Sequence, residues 1–238
     1  TAELQEKNAA LTDSIEYARR IQRSVLPQEE LLEQVFRDHM LVWLPRDAVG
    51  GDFYWVKRLE NGGLVIAVGD CTGHGVPGAL MSMISISLLD QMVGDDRHDP
   101  AAVLGELNRR IKRMLQQESA GRSLTDDGLD IGICHWDGAR RLTYAGARMT
   151  LYVRDGAGLK SVPGDRTSVG YTRTRSDFAF TNHVLALSGG ERFYLTTDGF
   201  IDQFGEATGA SFGRTRFAAT IESLAALPLS AQKDSFIR

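Results

Sequence analysis

The chain has 238 residues and a formal net charge of −4, and its 42% hydrophobic and 24% charged residues are ordinary for a soluble globular protein. That length suits one catalytic-size domain with an appendage, and the acidic balance, with no basic run or basic–aromatic stripe, argues against nucleic acid as a partner. There is no signal peptide and no apolar run near the roughly 20 residues of a membrane helix, while Cys71 and Cys134 form no metal-spaced pair and fit a reducing compartment.

Residues 1–26 contain neither Gly nor Pro and predict one helix, closed by Pro27 because the residue before a proline is pushed out of the helical region. Leu4, Leu11, Ala18 and Val25 recur every seven residues; Ile15 adds a second seam position, on which Asn8 and Gln22 also fall. This is a short heptad pattern. It reads either as an amphipathic helix packed on its own domain or as a connector, residues 1–27, that enters from an upstream domain and pairs two copies. The absence of an initiating Met favours the connector.

Residues 28–238 form the body. His39–Leu44 predicts a short strand. Phe53–Leu59 and Leu64–Val68 flank Asn61-Gly62-Gly63, a strong hairpin signal. Two helices follow. The first spans Pro77–Val93, with proline in its first turn. The second runs from Asp99-Pro100 to Gln117, with Val103, Leu104, Leu107, Ile111, Met114 and Leu115 on one face. Glu118–Thr125 is polar and is expected to be a mobile loop. Strands return at Leu129–Trp136, Arg141–Tyr144, Thr150–Val153, Val184–Leu187 and Arg192–Thr196, with turns at Asp137-Gly138 and Asp155-Gly156. A last helix covers Arg214–Ala226, ahead of Pro228. Hairpins dominate and helices cluster in the middle, which predicts an α+β protein with antiparallel sheets.

Three aspartates share one setting. Asp70 ends the apolar run Val65–Gly69 and opens Asp70-Cys71-Thr72-Gly73-His74-Gly75; Asp52 follows Gly50-Gly51; Asp198 lies in Thr197-Asp198-Gly199. A buried carboxylate must be paired or must ligate a metal, so three strand-end acids beside glycines suggest one cluster for hard cations. Mg²⁺ and Mn²⁺ take oxygen ligands, whereas zinc would want Cys or His at short spacing, and His39, His74, His98, His135 and His183 are scattered. Two such ions about 3.5–4 Å apart acidify a shared water and neutralise a phosphate. No side-chain nucleophile is then needed, in keeping with the lack of any Ser-His-Asp or Cys-His signature. The glycines allow tight turns and leave room beside the ions.

Residues 45–54 (Pro-Arg-Asp-Ala-Val-Gly-Gly-Asp-Phe-Tyr), residues 68–75 and Thr197-Asp198-Gly199-Phe200 resemble the PPM family of metal-dependent protein phosphatases, in its bacterial SpoIIE-like branch. Tyr144-Ala145-Gly146-Ala147-Arg148 and Ile21–Pro27 support the likeness, which covers nearly the whole chain. Residues 126–131 are similar to the SiaA-type subgroup. The resemblance implies an αββα sandwich of two antiparallel sheets. It implies that Asp52 ligates one ion, Asp70 bridges two, the carbonyl of Cys71 completes a site and Asp198 ligates the other ion. It further implies two Mg²⁺ or Mn²⁺ ions and hydrolysis of phosphoserine or phosphothreonine on a small STAS-domain regulator. The cytoplasmic location, and anchorage of a longer protein at the inner membrane through an upstream sensor region, are expectations of the same kind.

The chain departs from the family in two places. The Asp-Asp-Xaa-Thr-type strand that normally ends the domain is missing after Asp202, as if the C-terminal end were absent; and Gly-His-Asn-Pro is replaced around Arg148. Arg148 reads as a phosphate or substrate ligand or as a surface ion pair, and His74 as a general acid or as a residue that hydrogen-bonds its turn. Asp127 and Asp130 read as an accessory metal pair or as solvated acids, and Asp202 is a further accessory candidate. Two other functions stay open: a catalytically silent binding and dimerisation module of the same fold, and a phosphomonoesterase for a small metabolite.

Overall fold

The computed structural model describes residues 2–118, 125–203 and 211–237. In chain order the elements are α1 (Ala2–Val25), α2 (Glu29–Val35), β1 (Phe53–Arg58), β2 (Leu64–Cys71), α3 (Gly75–Met92), α4 (Pro100–Met114), β3 (Leu129–Trp136), β4 (Arg141–Ala147), β5 (Thr150–Asp155), β6 (Gly158–Pro163), β7 (His183–Ala186), β8 (Arg192–Tyr194), α5 (Asp198–Ile201), α6 (Gly213–Ser223) and α7 (Leu229–Ile237). The strands form a five-stranded sheet, β1-β2-β3-β4-β7, and a three-stranded sheet, β6-β5-β8. Every strand pairing is antiparallel.

Side chains alternate across a strand, and that alternation builds the layers. On β2, Val65, Ala67 and Cys71 enter a core shared with Met81, Ile86 and Leu89 of α3 and Val103, Leu104, Leu107 and Ile111 of α4. Ile66 turns the other way, into the space between the sheets, with Cys134, Leu142 and Tyr144 of the large sheet and Leu151, Val153 and Phe193 of the small one. The small sheet's far face, through Tyr152 and Tyr194, packs on Phe217 and Ile221 of α6 and Phe236 of α7. The result is helices, sheet, sheet, helices, the expected αββα sandwich. Leu89, Leu104, Leu107 and Ile111 are wholly buried, each contributing about 1.5–3 kcal/mol. Asp99 starts α4 by accepting a hydrogen bond from the Ala102 backbone N–H at 2.8 Å, with Pro100 in the first turn.

Several expectations need correction. His39–Leu44 is not a strand. It finds no ladder partner, and the Trp43 indole instead donates to the Asp52 carbonyl at 2.9 Å. β2 runs on to Cys71, so Asp70 lies inside the strand rather than beyond its end. Three helices and one strand exceed the expected set: α2, α5, α7 and β6. Residues 119–124, most of the expected mobile loop, lie outside the described residues. Gln22 is no seam residue. Only 1% exposed, it donates to the Gly50 carbonyl at 2.6 Å and to Ser82 Oγ of α3 at 2.9 Å, and accepts from the Gly50 N–H at 3.2 Å. Towards the other end of α1, Leu4 and Leu11 are 59% and 62% exposed.

Candidate metal centre

Asp70 shares the β2 face of Ile66, the face between the sheets, and its register partner on β3 is Asp130. Asp52 immediately precedes β1, and the pairing of Phe53 with Gly69 brings it alongside Asp70. Asp198 comes from the other layer, opening α5 just after β8. The centre therefore lies at one end of the sandwich, with Asp70 in the large sheet, Asp52 just before that sheet's β1, and Asp198 on α5 just beyond the small sheet's β8. The backbone fits closely here. A methyl at Gly51 would stand 2.7 Å from the Cys71 carbonyl oxygen and 2.9 Å from that of Gly73, so only glycine lets the Asp52 loop approach β2. A methyl at Gly199 would stand 3.2 Å from Asp52 Oδ2.

The three carboxyls crowd together. Asp70 is hydrogen-bonded to Asp198 and to Asp52, and burial followed by those two neighbours pushes it up to about 9. Burial also raises Asp52, against the opposing effect of its hydrogen bonds to Asp70 and Thr197. Two carboxyls sharing a hydrogen bond need a proton between them, so the cluster holds protons where its charges lack a counter-ion. Among the described residues no three acids, histidines or cysteines stand in finished ligand geometry. The donor set nonetheless suits hard divalent cations: three carboxylates, no nitrogen or sulfur, glycines leaving space beside them, and crowding that a cation would relieve.

A cavity of about 200 Å³ opens over the cluster, lined by Asp70, Asp130, Arg148, Thr197, Asp198 and Asp202 among others. Of the accessory residues read from sequence, Asp130, Asp202 and Arg148 thus reach the cavity wall. Asp127 does not line it; its backbone N–H donates to Gln117 Oε1 at 2.8 Å. Asp130 and Asp127 therefore form no common site. His74 also stands outside the cavity, exposed at the start of α3, with Nδ1 2.9 Å from Asp47 Oδ2. The Cys71 carbonyl faces Gly51 beside Asp52, and burial raises its thiol far above the ordinary range, which leaves the sulfur inert. Sequence reasoning missed Arg214 and Tyr152 in the cavity wall and Thr197 bonding Asp52. Tyr152 and Arg214 meet through the packing of α6 on the small sheet, and Thr197 meets Asp52 across the layers, so no local spacing announces them.

Comparison with known proteins places this geometry. The family model described as Stage II sporulation protein E (SpoIIE) matches residues 60–238. The chain is similar to the SiaA-PP2C domain of Pseudomonas aeruginosa, with 37% identity, a TM-score of 0.84, and coverage of 100% of this chain and 90% of that one. The fold is shared with a structure of the PP2C phosphatase domain and a regulatory fragment of SpoIIE from Bacillus subtilis, at 18% identity and TM-score 0.59, covering 79% of this chain and 52% of that one. It is shared too with the catalytic domain of the serine/threonine phosphatase PstP in complex with two manganese ions, at 16% identity and TM-score 0.55, covering 84% and 86%. No curated protein matches the sequence.

Proposed function

The chain belongs to the SpoIIE family of PP2C-like serine/threonine phosphatases, and on that premise we propose that it dephosphorylates a small STAS-domain regulator in bacterial partner switching. The observation that carries the reading is the meeting of Asp52, Asp70 and Asp198 in one hydrogen-bonded cluster, from which Asp70 and Asp198 reach the wall of one cavity.

Asp52, Asp70, Asp198 and the Cys71 carbonyl would hold two Mg²⁺ or Mn²⁺ ions. Bound there, the ions supply Lewis acidity and an acidified water for attack at phosphorus. The rest falls to the chain. The Thr197 hydroxyl bonds the Asp52 carboxylate and fixes its orientation. Asp70 carries a proton in the cation-free protein and gives it up as cations arrive, so loading releases protons and weakens as pH falls. The cavity of about 200 Å³ beside the cluster has room for a phosphorylated side chain.

Two copies pair through α1, a reading supported by the exposed Leu4 and Leu11 at heptad spacing. The chain acts as a cytoplasmic domain, with a longer protein anchored at the inner membrane through an upstream sensor region. No helix among the described residues is long and apolar enough to cross a membrane.

Assays with Mn²⁺ or Mg²⁺ on an aryl phosphate and on a phosphorylated STAS-domain protein test the reading. Efficient turnover of the phosphoprotein, abolished by EDTA, is the expected result. Turnover of the aryl phosphate alone would make the protein a small-molecule phosphomonoesterase. Binding of the phosphoprotein without turnover of either would make it a silent module.

A further inference from the structure

Arg148 sits in the tight turn between β4 and β5 with φ of 56°, the left-handed region that non-glycine residues rarely adopt. The turn is held from both sides. The Arg148 N–H donates to the Asp165 carbonyl at 2.7 Å, and the Gly164 N–H to the Met149 carbonyl at 2.9 Å. Glycine would adopt this conformation without cost, and this fold uses glycine at Gly146 and Gly164 close by. An arginine kept in a strained backbone position at a cavity mouth points to a task for its side chain.

That side chain is aimed. Its Nε lies 3.3 Å from Asp130 Oδ2, and Asp130 is itself hydrogen-bonded to the buried Ser168. Asp130 is the register partner of Asp70. The guanidinium is thus directed at the cavity beside the acidic cluster while remaining 52% exposed. Among the described residues Asp130 is its only ion-pair partner, so most of its five N–H donors stay open. A half-exposed ion pair is weak justification for a strained backbone. A planar fork of unused donors at a cavity whose wall also carries Asp70, Asp130, Asp198, Asp202 and a second cation, Arg214, suits one ligand class: a tetrahedral oxyanion, gripped by two oxygens at once.

We infer that Arg148, oriented by Asp130 and its left-handed turn, is the phosphoryl-binding residue of this site, contacting the non-bridging oxygens of the phosphomonoester. The inference rests on the phosphatase reading and adds a substrate contact supplied by the protein rather than by cations. Asp130 is then a positioning residue, acting through Arg148.

The test is a calorimetric titration of inorganic phosphate into the Mn²⁺-loaded protein, with Mn²⁺ affinity measured separately. Arg148→Ala should weaken phosphate about 10- to 100-fold, the scale of hydrogen bonds to a charged group. It should raise KM for an aryl phosphate while leaving Mn²⁺ affinity and the melting temperature near wild type. Arg148→Lys should recover the charge but only part of the affinity, because an ammonium cannot make the forked contact. Asp130→Asn should weaken phosphate less than Arg148→Ala. Phosphate affinity unchanged in Arg148→Ala, full recovery in Arg148→Lys, or a loss of Mn²⁺ affinity equal to the loss of phosphate affinity would each overturn it. Failure of the phosphatase reading looks different: the wild-type protein would bind phosphate through Arg148 yet turn over no phosphoester.

Discussion

Asp70 is a carboxyl whose proton the fold holds tightly, through burial and the neighbouring Asp198 and Asp52. Its ordinary value is 3.8 and its folded value about 9, so the folded state binds the proton more tightly than the unfolded chain does. Its contribution to stability is fully present below about pH 4 and is lost as pH rises towards 9. In EDTA, then, the melting temperature should fall between pH 5 and pH 9, and Asp70→Asn should flatten that fall and melt higher than wild type at pH 8. The same variant should lose the stabilisation that Mn²⁺ gives the wild type, and its turnover should drop about 100-fold or more, the scale of deleting one charge-stabilising group at a reacting centre. Thermal scans with and without metal, beside an initial-rate assay, check both halves. A variant with wild-type turnover would remove Asp70 from the centre.

At the scale of elements, the joint between α1 and the Asp52 loop matters most. Gln22 pairs with both backbone groups of Gly50, two residues from Asp52. Gln22→Ala should leave the buried Gly50 N–H unpaired and its carbonyl with only the longer bond from the Ser82 hydroxyl at 3.4 Å, at about 1–3 kcal/mol. The melting temperature should fall and Mn²⁺ affinity should weaken with it; a calorimetric titration showing wild-type Mn²⁺ affinity would confine Gln22 to a packing role. This joint is invisible in the sequence because a glutamine at a heptad position reads as a seam residue, and its partner Gly50 is distant along the chain. β3 is readable end to end, since the apolar run from Leu129 to Trp136 is bounded by turn residues on both sides. The β1–β2 hairpin is readable from Asn61-Gly62-Gly63. β6 is not: it is an edge strand whose residues are half-buried or exposed, so no apolar alternation marks it. His39–Leu44 resembles a strand because it is apolar, yet no neighbour offers it a ladder. In the same way the three aspartates stand out by their glycines, while Asp130 gains meaning only from its register opposite Asp70.

At the scale of the molecule, pairing through α1 can be tested directly. Leu11→Glu places a charge in the middle of the exposed stripe, and light scattering should show a shift towards monomer together with a changed phosphatase rate. Unchanged mass and unchanged rate would reduce α1 to a packing element. The division of the centre between the two sheets has another consequence, seen in the order of synthesis. Every strand of the large sheet, from β1 to β7, is made before β8 and Asp198. A nascent chain therefore owns Asp52 and Asp70 well before the third acid is made. The three acids meet only when the small sheet closes over the large one, so a chain that stops before Asp198 carries two of them and lacks the third.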